Sequence, residues 1–190
     1  MADPTFYATF KNVKPTLSSP SSSVAAATAH PRPQLVRAKW ASLDGDWSFS
    51  AGDGAERTIR VPFAPETPAS GLSLGGYIPS CTYRRSFVAP KLAPGERLLL
   101  HFEAVDYVAR VWVNNVYLGT HEGGYTRFSF DATDALKPSG EQSIRVEVED
   151  DPHDLAKPRG KQDWLPEAHA IWYPRTTGIW QSVWTEVVPA

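Results

Sequence analysis

Between Arg97 and Glu149 the chain alternates apolar and polar positions with a period of two, the repeat of a strand that buries one face. Leu98, Leu100 and Phe102 fall on one side of a predicted strand over 97–103, opposite Arg97, Leu99, His101 and Glu103. From Tyr107 to Asn114, Ala109, Val111 and Val113 oppose Arg110 and Trp112. Asn114-Asn115 suits a tight hairpin turn, and Val116 to Thr120 returns from it. Ser143 to Glu149 sets Ile144, Val146 and Val148 against Arg145, Glu147 and Glu149. Upstream, Thr82 to Val88 gathers Tyr83, Arg85 and Phe87 on one face. Leu43-Asp44-Gly45-Asp46-Trp47 reads as a turn opening a strand, with Trp47 and Phe49 on one face. Arg57 to Val61 and Thr126 to Phe130 add two short strands.

Helical periodicity is nearly absent, apart from one turn expected over Asp131 to Leu136, before Lys137-Pro138. About eight to ten short strands joined by turn-rich links predict an all-β protein, an antiparallel β-sandwich of jelly-roll type. The links include a long Pro-, Gly- and Ser-rich loop over 62–80, a length at which loops often carry function. Residues 1–30 are rich in Ser, Ala, Thr and Pro, too poor in large apolar groups to offset chain entropy, and read as a flexible leader. Their poverty in arginine argues against a transit peptide. One domain is therefore expected over 31–190.

The rest of the chain is organised around Lys157 to Val188, which holds four of the seven tryptophans: Trp164, Trp172, Trp180 and Trp184. Its second half, Gly178 to Val188, reads as one long strand. Its first half is broken by Pro and Gly and mixes rings with cationic and amide groups: Arg159, Lys161, Gln162, Trp172, Tyr173 and Arg175. Rings stack on the apolar faces of sugars, while Arg, Lys and Gln donate hydrogen bonds to hydroxyls. The same residues could equally pin the loop to the sandwich, and both roles can hold at once.

A formal net charge of −2 gives no electrostatic case for nucleic acid or an anionic membrane surface. No apolar run reaches the roughly 18 residues of a membrane-spanning helix, and no secretory signal pattern opens the chain. The single cysteine, Cys81, excludes an internal disulfide and fits a reducing compartment, so a cytoplasmic home is expected. Glu149, Asp150, Asp151 and Asp154 are the one acidic group to weigh as a glycosidase pair or a Ca²⁺ site. A solvated strand exit ending at Pro152 explains them more simply. His121-Glu122-Gly123-Gly124 reads as a turn, Cys81 as a small core residue, and no pattern of metal ligands, cofactor loops or catalytic nucleophiles is present.

Five blocks in this order resemble the N-terminal domain of family-two glycoside hydrolases, the group of β-galactosidases, β-glucuronidases and β-mannosidases. They are Trp40-Ala-Ser-Leu-Asp-Gly-Asp-Trp47, Val61-Pro-Phe-Ala-Pro-Glu66, Tyr83-Arg-Arg-Ser-Phe87, the run from Phe102 to Gly124, and Lys157 to Val188 with Pro158-Arg-Gly-Lys-Gln162 and Thr177-Gly-Ile-Trp-Gln-Ser-Val-Trp184. The resemblance spans residues 31–189 and implies a jelly-roll sugar-binding domain that ends near Ala190. It also implies partners: carbohydrate, and an immunoglobulin-like domain and a (β/α)₈ barrel that follow. That barrel would supply both catalytic glutamates, so no catalytic residue, metal or cofactor is expected in this chain. Loops of this domain would complete the barrel's pocket, with Arg159, Lys161, Gln162, Trp172, Tyr173 and Arg175 lining or supporting it. Relatives that handle galactosides carry an Asp shortly before their Arg-x-x-Gly-Ile run. Here Ile171, Trp172, Tyr173 and Pro174 precede Arg175-Thr-Thr-Gly-Ile179, which departs from the galactoside and ion-binding pattern. The alternatives to an enzyme's accessory domain are a standalone carbohydrate-binding module and a purely structural sandwich.

Overall fold

The computed structural model describes residues 29–189. The leader expected over 1–30 lies outside the described residues except for Ala29 and His30. His30 is buried, its ring edge-on to Trp40 at 4.5 Å and to Trp184 at 4.8 Å.

Among the described residues twelve strands follow in order: β1 (Trp40–Ser42), β2 (Gly45–Ala51), β3 (Glu56–Val61), β4 (Ser80–Val88), β5 (Glu96–Phe102), β6 (Val105–Asp106), β7 (Val108–Val113), β8 (Val116–Glu122), β9 (Phe128–Asp131), β10 (Glu141–Glu149), β11 (Gly178–Ile179) and β12 (Val183–Pro189). Their pairings are antiparallel. A six-stranded sheet runs β3-β2-β4-β10-β7-β8, a four-stranded sheet β1-β12-β5-β9, and β6 pairs with β11 in a short ribbon. Among the described residues the helical structure is limited to two single 3₁₀ turns, Pro68–Ser70 and Thr133–Ala135. The second is the turn expected over Asp131 to Leu136. This is the jelly-roll sandwich that the alternation predicts.

The core lies where the inner faces meet. Val146 of β10 stands between Tyr83 of β4 and Val111 of β7, so three neighbouring strands send apolar groups to the same side. From the other sheet come Leu98, Leu100 and Phe102 of β5, all buried, with Val183 of β12. Each such side chain withdrawn from water contributes about 1.5–3 kcal/mol, and two sheets with one apolar face each can bury them only against one another. The Asn114-Asn115 hairpin forms as expected, with both residues at positive φ.

The expected single strand over Gly178 to Val188 is corrected to two. β11 pairs with β6, whereas β12 pairs with β5, and Trp180 to Ser182 step between them. The Asp44 carboxylate holds the step open: it accepts the Ser182 hydroxyl at 2.8 Å and the Val183 N–H at 2.9 Å. The long loop over 62–80 is also anchored. Ser70 and Ile78 are buried, and the Tyr77 hydroxyl donates to the Trp164 carbonyl at 2.8 Å.

Candidate functional site

The strand ends bring several loops to one end of the sandwich. Ser80 pairs with Glu149, Glu149 with Val108, and Gly178 with Asp106. The links 123–127 and 150–177 therefore meet beside the β6–β11 ribbon. The ribbon is seated by Tyr83, whose hydroxyl accepts the Ile179 N–H at 3.2 Å. Gly178 makes this approach possible: it sits at φ +74°, and a Cβ there would stand 2.2 Å from the Tyr83 hydroxyl oxygen.

Asp106, the last residue of β6, is only 3% exposed. Gln162 Nε2 donates to its Oδ2 at 2.7 Å and to the Tyr125 hydroxyl at 3.0 Å. Tyr125 in turn donates to the Arg159 carbonyl at 2.7 Å. Gln162 Oε1 accepts the Thr176 N–H at 2.7 Å. Around this network opens a pocket of about 320 Å³, with Asp106 and Gln162 at its floor, Tyr125, Trp180 and Tyr173 as walls, and Lys161 at its rim. The Trp180 ring is fixed by its own N–H, which donates to the Gly124 carbonyl at 2.8 Å, and it meets Tyr125 edge-on at 6.1 Å. The Lys161 ammonium lies 5.9 Å from the centre of the Tyr173 ring.

Burial pushes the Asp106 carboxyl up to about 6, against the hydrogen bond from Gln162, which favours the ionised form. Nearby Asp150 pushes in the same direction as burial, while Lys157 and Arg175 pull the other way. The pocket thus offers rings, an acceptor carboxylate at depth and a cation at the edge. Its volume lies at the low end of the range for small-molecule sites, about 300–1,000 Å³.

The sequence-predicted residues divide between this pocket and its back. Lys161, Gln162 and Tyr173 line it. Arg159 and Arg175 instead line a narrow cleft behind Gln162, together with Asp150 and Lys157. Arg175 is buried and donates to Asp150 at 2.9 Å, to the Asp163 carbonyl at 3.4 Å, and lies 5.6 Å from the Tyr77 ring. Asp150 also receives Lys157 at 2.6 Å and the Thr177 hydroxyl at 3.2 Å, so this ion cluster ties the loop 150–177 to the sandwich. The Arg159 guanidinium lies over Trp164 at 5.4 Å, and Trp172 packs edge-on against the same ring at 5.1 Å. Neither reaches the pocket wall.

The acidic group does not converge. Glu149 pairs with Arg110 at 2.7 Å, Asp150 is buried in its cluster, and Asp151 and Asp154 each accept an N–H two residues on. Among the described residues no three potential ligands gather around a metal position. Sequence reasoning missed Asp106, Gly124, Tyr125 and Trp180. The available signal was the Ala104-Val105-Asp106 run, which breaks the period-two alternation, and a Gly-Gly pair followed by an aromatic ring.

The family described as "Glycosyl hydrolase 2 galactose-binding domain-like" matches residues 79–180, which include the pocket, four of the six strands of the larger sheet, and β5 and β9 of the smaller one. The chain belongs to this family. Among its relatives, a β-galactosidase of Thermoanaerobacter pseudethanolicus is 36% identical over 148 residues, which cover 77% of this chain and 19% of that protein. A β-glucuronidase of Formosa agariphila is 35% identical over 101 residues, 53% of this chain and 10% of that protein. The fold matches that of Bifidobacterium dentium β-glucuronidase, solved with coumarin-3-O-glucuronide, at a TM-score of 0.62 and 24% identity, over 82% of this chain and 31% of that one. The chain thus spans between a tenth and a third of the length of these family members.

Proposed function

We propose that this domain is the N-terminal sugar-binding part of a retaining β-glycosidase, and that the Asp106 pocket is the surface it presents to the sugar. The observation that carries the reading is a buried carboxylate on the floor of an aromatic-walled pocket. A carboxylate accepts hydrogen bonds from sugar hydroxyls, and the rings of Trp180, Tyr125 and Tyr173 suit the apolar faces of a pyranose. The chemistry stops at binding and orientation. Retaining hydrolysis needs two carboxyl groups about 5–5.5 Å apart, one as acid/base and one as nucleophile. Asp106 is the single carboxyl group lining this pocket, and the reading assigns the reacting pair to the barrel domain that the family resemblance implies.

The test is an NMR titration of the ¹⁵N-labelled chain with methyl β-D-galactoside and methyl β-D-glucuronide at millimolar concentrations. The reading expects shifts confined to the Trp180 indole N–H and the amides of Gly124, Tyr125 and Lys161. A spectrum unmoved by both glycosides would assign the sandwich a purely structural task.

A further inference from the structure

We propose that Gln162 is a positioning residue of this pocket: it spends its hydrogen bonds inside the protein and sets the Asp106 carboxylate and the Tyr125 hydroxyl in fixed relation, leaving the sugar to them. The inference rests on the reading of the pocket as the sugar site.

The Gln162 side chain is buried at the pocket floor, a place from which it could contact a ligand. Its polar atoms are already engaged, however. The Thr176 backbone N–H can only donate, so the atom it meets at 2.7 Å must be the amide oxygen, and the amide nitrogen then faces Asp106 and Tyr125. A primary amide has two N–H donors, and those two partners use both. The backbone of the same residue joins Tyr173 in an isolated bridge, with Tyr173 N–H donating to the Lys161 carbonyl at 3.0 Å and Asp163 N–H to the Tyr173 carbonyl at 2.9 Å. One residue therefore references the floor carboxylate and two of the three aromatic walls to each other. With Oδ2 held by Gln162, the second oxygen of Asp106 is the one left for a hydroxyl, since no described group donates to it.

The charged groups around Asp106 are Asp150 at the end of β10, Lys157 and Arg175 from the loop 150–177, and Lys161 at the pocket rim. Gln162 is the direct donor among them. Exchanging it for glutamate replaces that donor by an acceptor, and at pH 7.5, with both groups ionised, the two carboxylates repel one another. A proton shared between them at lower pH would restore the donated hydrogen bond. Leucine, lacking any donor, would restore nothing.

The experiment compares wild type, Gln162→Glu, Gln162→Leu and Tyr125→Phe as the full chain, titrated with the same two methyl glycosides at pH 7.5 and pH 5, with thermal melts to confirm folding. Gln162→Glu is expected to bind about tenfold more weakly at pH 7.5 and to recover to within about threefold of wild type at pH 5, the scale of one charge-assisted hydrogen bond. Gln162→Leu is expected to be weak at both. Tyr125→Phe, which removes an acceptor of Gln162 at an exposed ring, is expected to lose several-fold in affinity at both pH values, and it keeps the test open if the leucine variant fails to fold. Wild-type affinity in Gln162→Glu at pH 7.5, or an equal loss at both pH values, would overturn the positioning role while leaving the sugar reading intact. If the wild-type chain binds neither glycoside, the sugar reading itself fails, and this inference with it.

Discussion

Gly124 and the carboxyl group of Asp106 are in direct contact, with no room between them for a methyl group: a Cβ on Gly124 would stand 2.5 Å from Asp106 Cγ and from Oδ1. The same glycine supplies the carbonyl that fixes Trp180. The absence of a side chain at 124 therefore permits both a floor and a wall of the pocket. Gly124→Ala is expected to cost about 1–3 kcal/mol, the usual penalty of forced overpacking, and to abolish the Trp180 response to sugar. Thermal melts and the Trp180 indole resonance check this. An alanine variant with unchanged melting and unchanged titration would show that the carboxyl group moves aside freely.

The pH dependence follows from the direction of the Asp106 shift. Its folded value of about 6 lies above the roughly 3.9 of an unfolded aspartate. The folded state therefore holds the proton more tightly, and the stability from that preference is fully present below the unfolded value and is lost as pH rises through 6. At pH 8 the loss is about 3 kcal/mol. Asp106→Asn removes this titration, so the variant is expected to melt above wild type at pH 8, with the gap closing as pH falls toward 4. Comparing the two proteins across that range isolates Asp106 from every group the two share. A gap independent of pH would contradict the buried, raised carboxyl.

Arg175 separates support from contact. Its guanidinium belongs to the Asp150 cluster behind the pocket, not to the pocket itself. Arg175→Met leaves Lys157 as the remaining cation on a buried carboxylate and is expected to destabilise the fold by about 3 kcal/mol. Chemical denaturation measures that loss. In the folded fraction, glycoside affinity should change by no more than about twofold.

Two neighbouring aromatic residues should behave oppositely. Tyr173 is exposed and lines the pocket, while Trp172 faces Trp164. Tyr173→Ala is expected to weaken glycoside binding about fivefold or more with little change in melting temperature. Trp172→Ala should lower the melting temperature and leave the affinity nearly unchanged. The reverse result would move the sugar surface to the Trp164–Trp172 side of the loop.

By itself the sequence determined the sandwich. A period of two is a local property, and strands such as β5, β7 and β10 declare their buried faces residue by residue because each has one wet and one dry side. The tight turn at Asn114-Asn115 and the single helical turn after Asp131 are equally local. The loop 157–177 announced itself by its rings and cations. Which of those groups turn toward a ligand is not a local property. Lys161, Gln162 and Tyr173 reach the pocket, whereas Arg159, Trp172 and Arg175 face the other way, because Asp150 and Trp164 offer them partners there. Asp106 became a floor residue only when folding laid Gln162, 56 positions later, against it and excluded water from both. The break between β11 and β12 has the same origin. Gly178 to Val188 reads as one strand until Asp44, 139 residues before Val183, takes the N–H that a continuous ladder would have used. Tertiary structure decided these points because a buried polar group must find its hydrogen-bond partner wherever the fold supplies one.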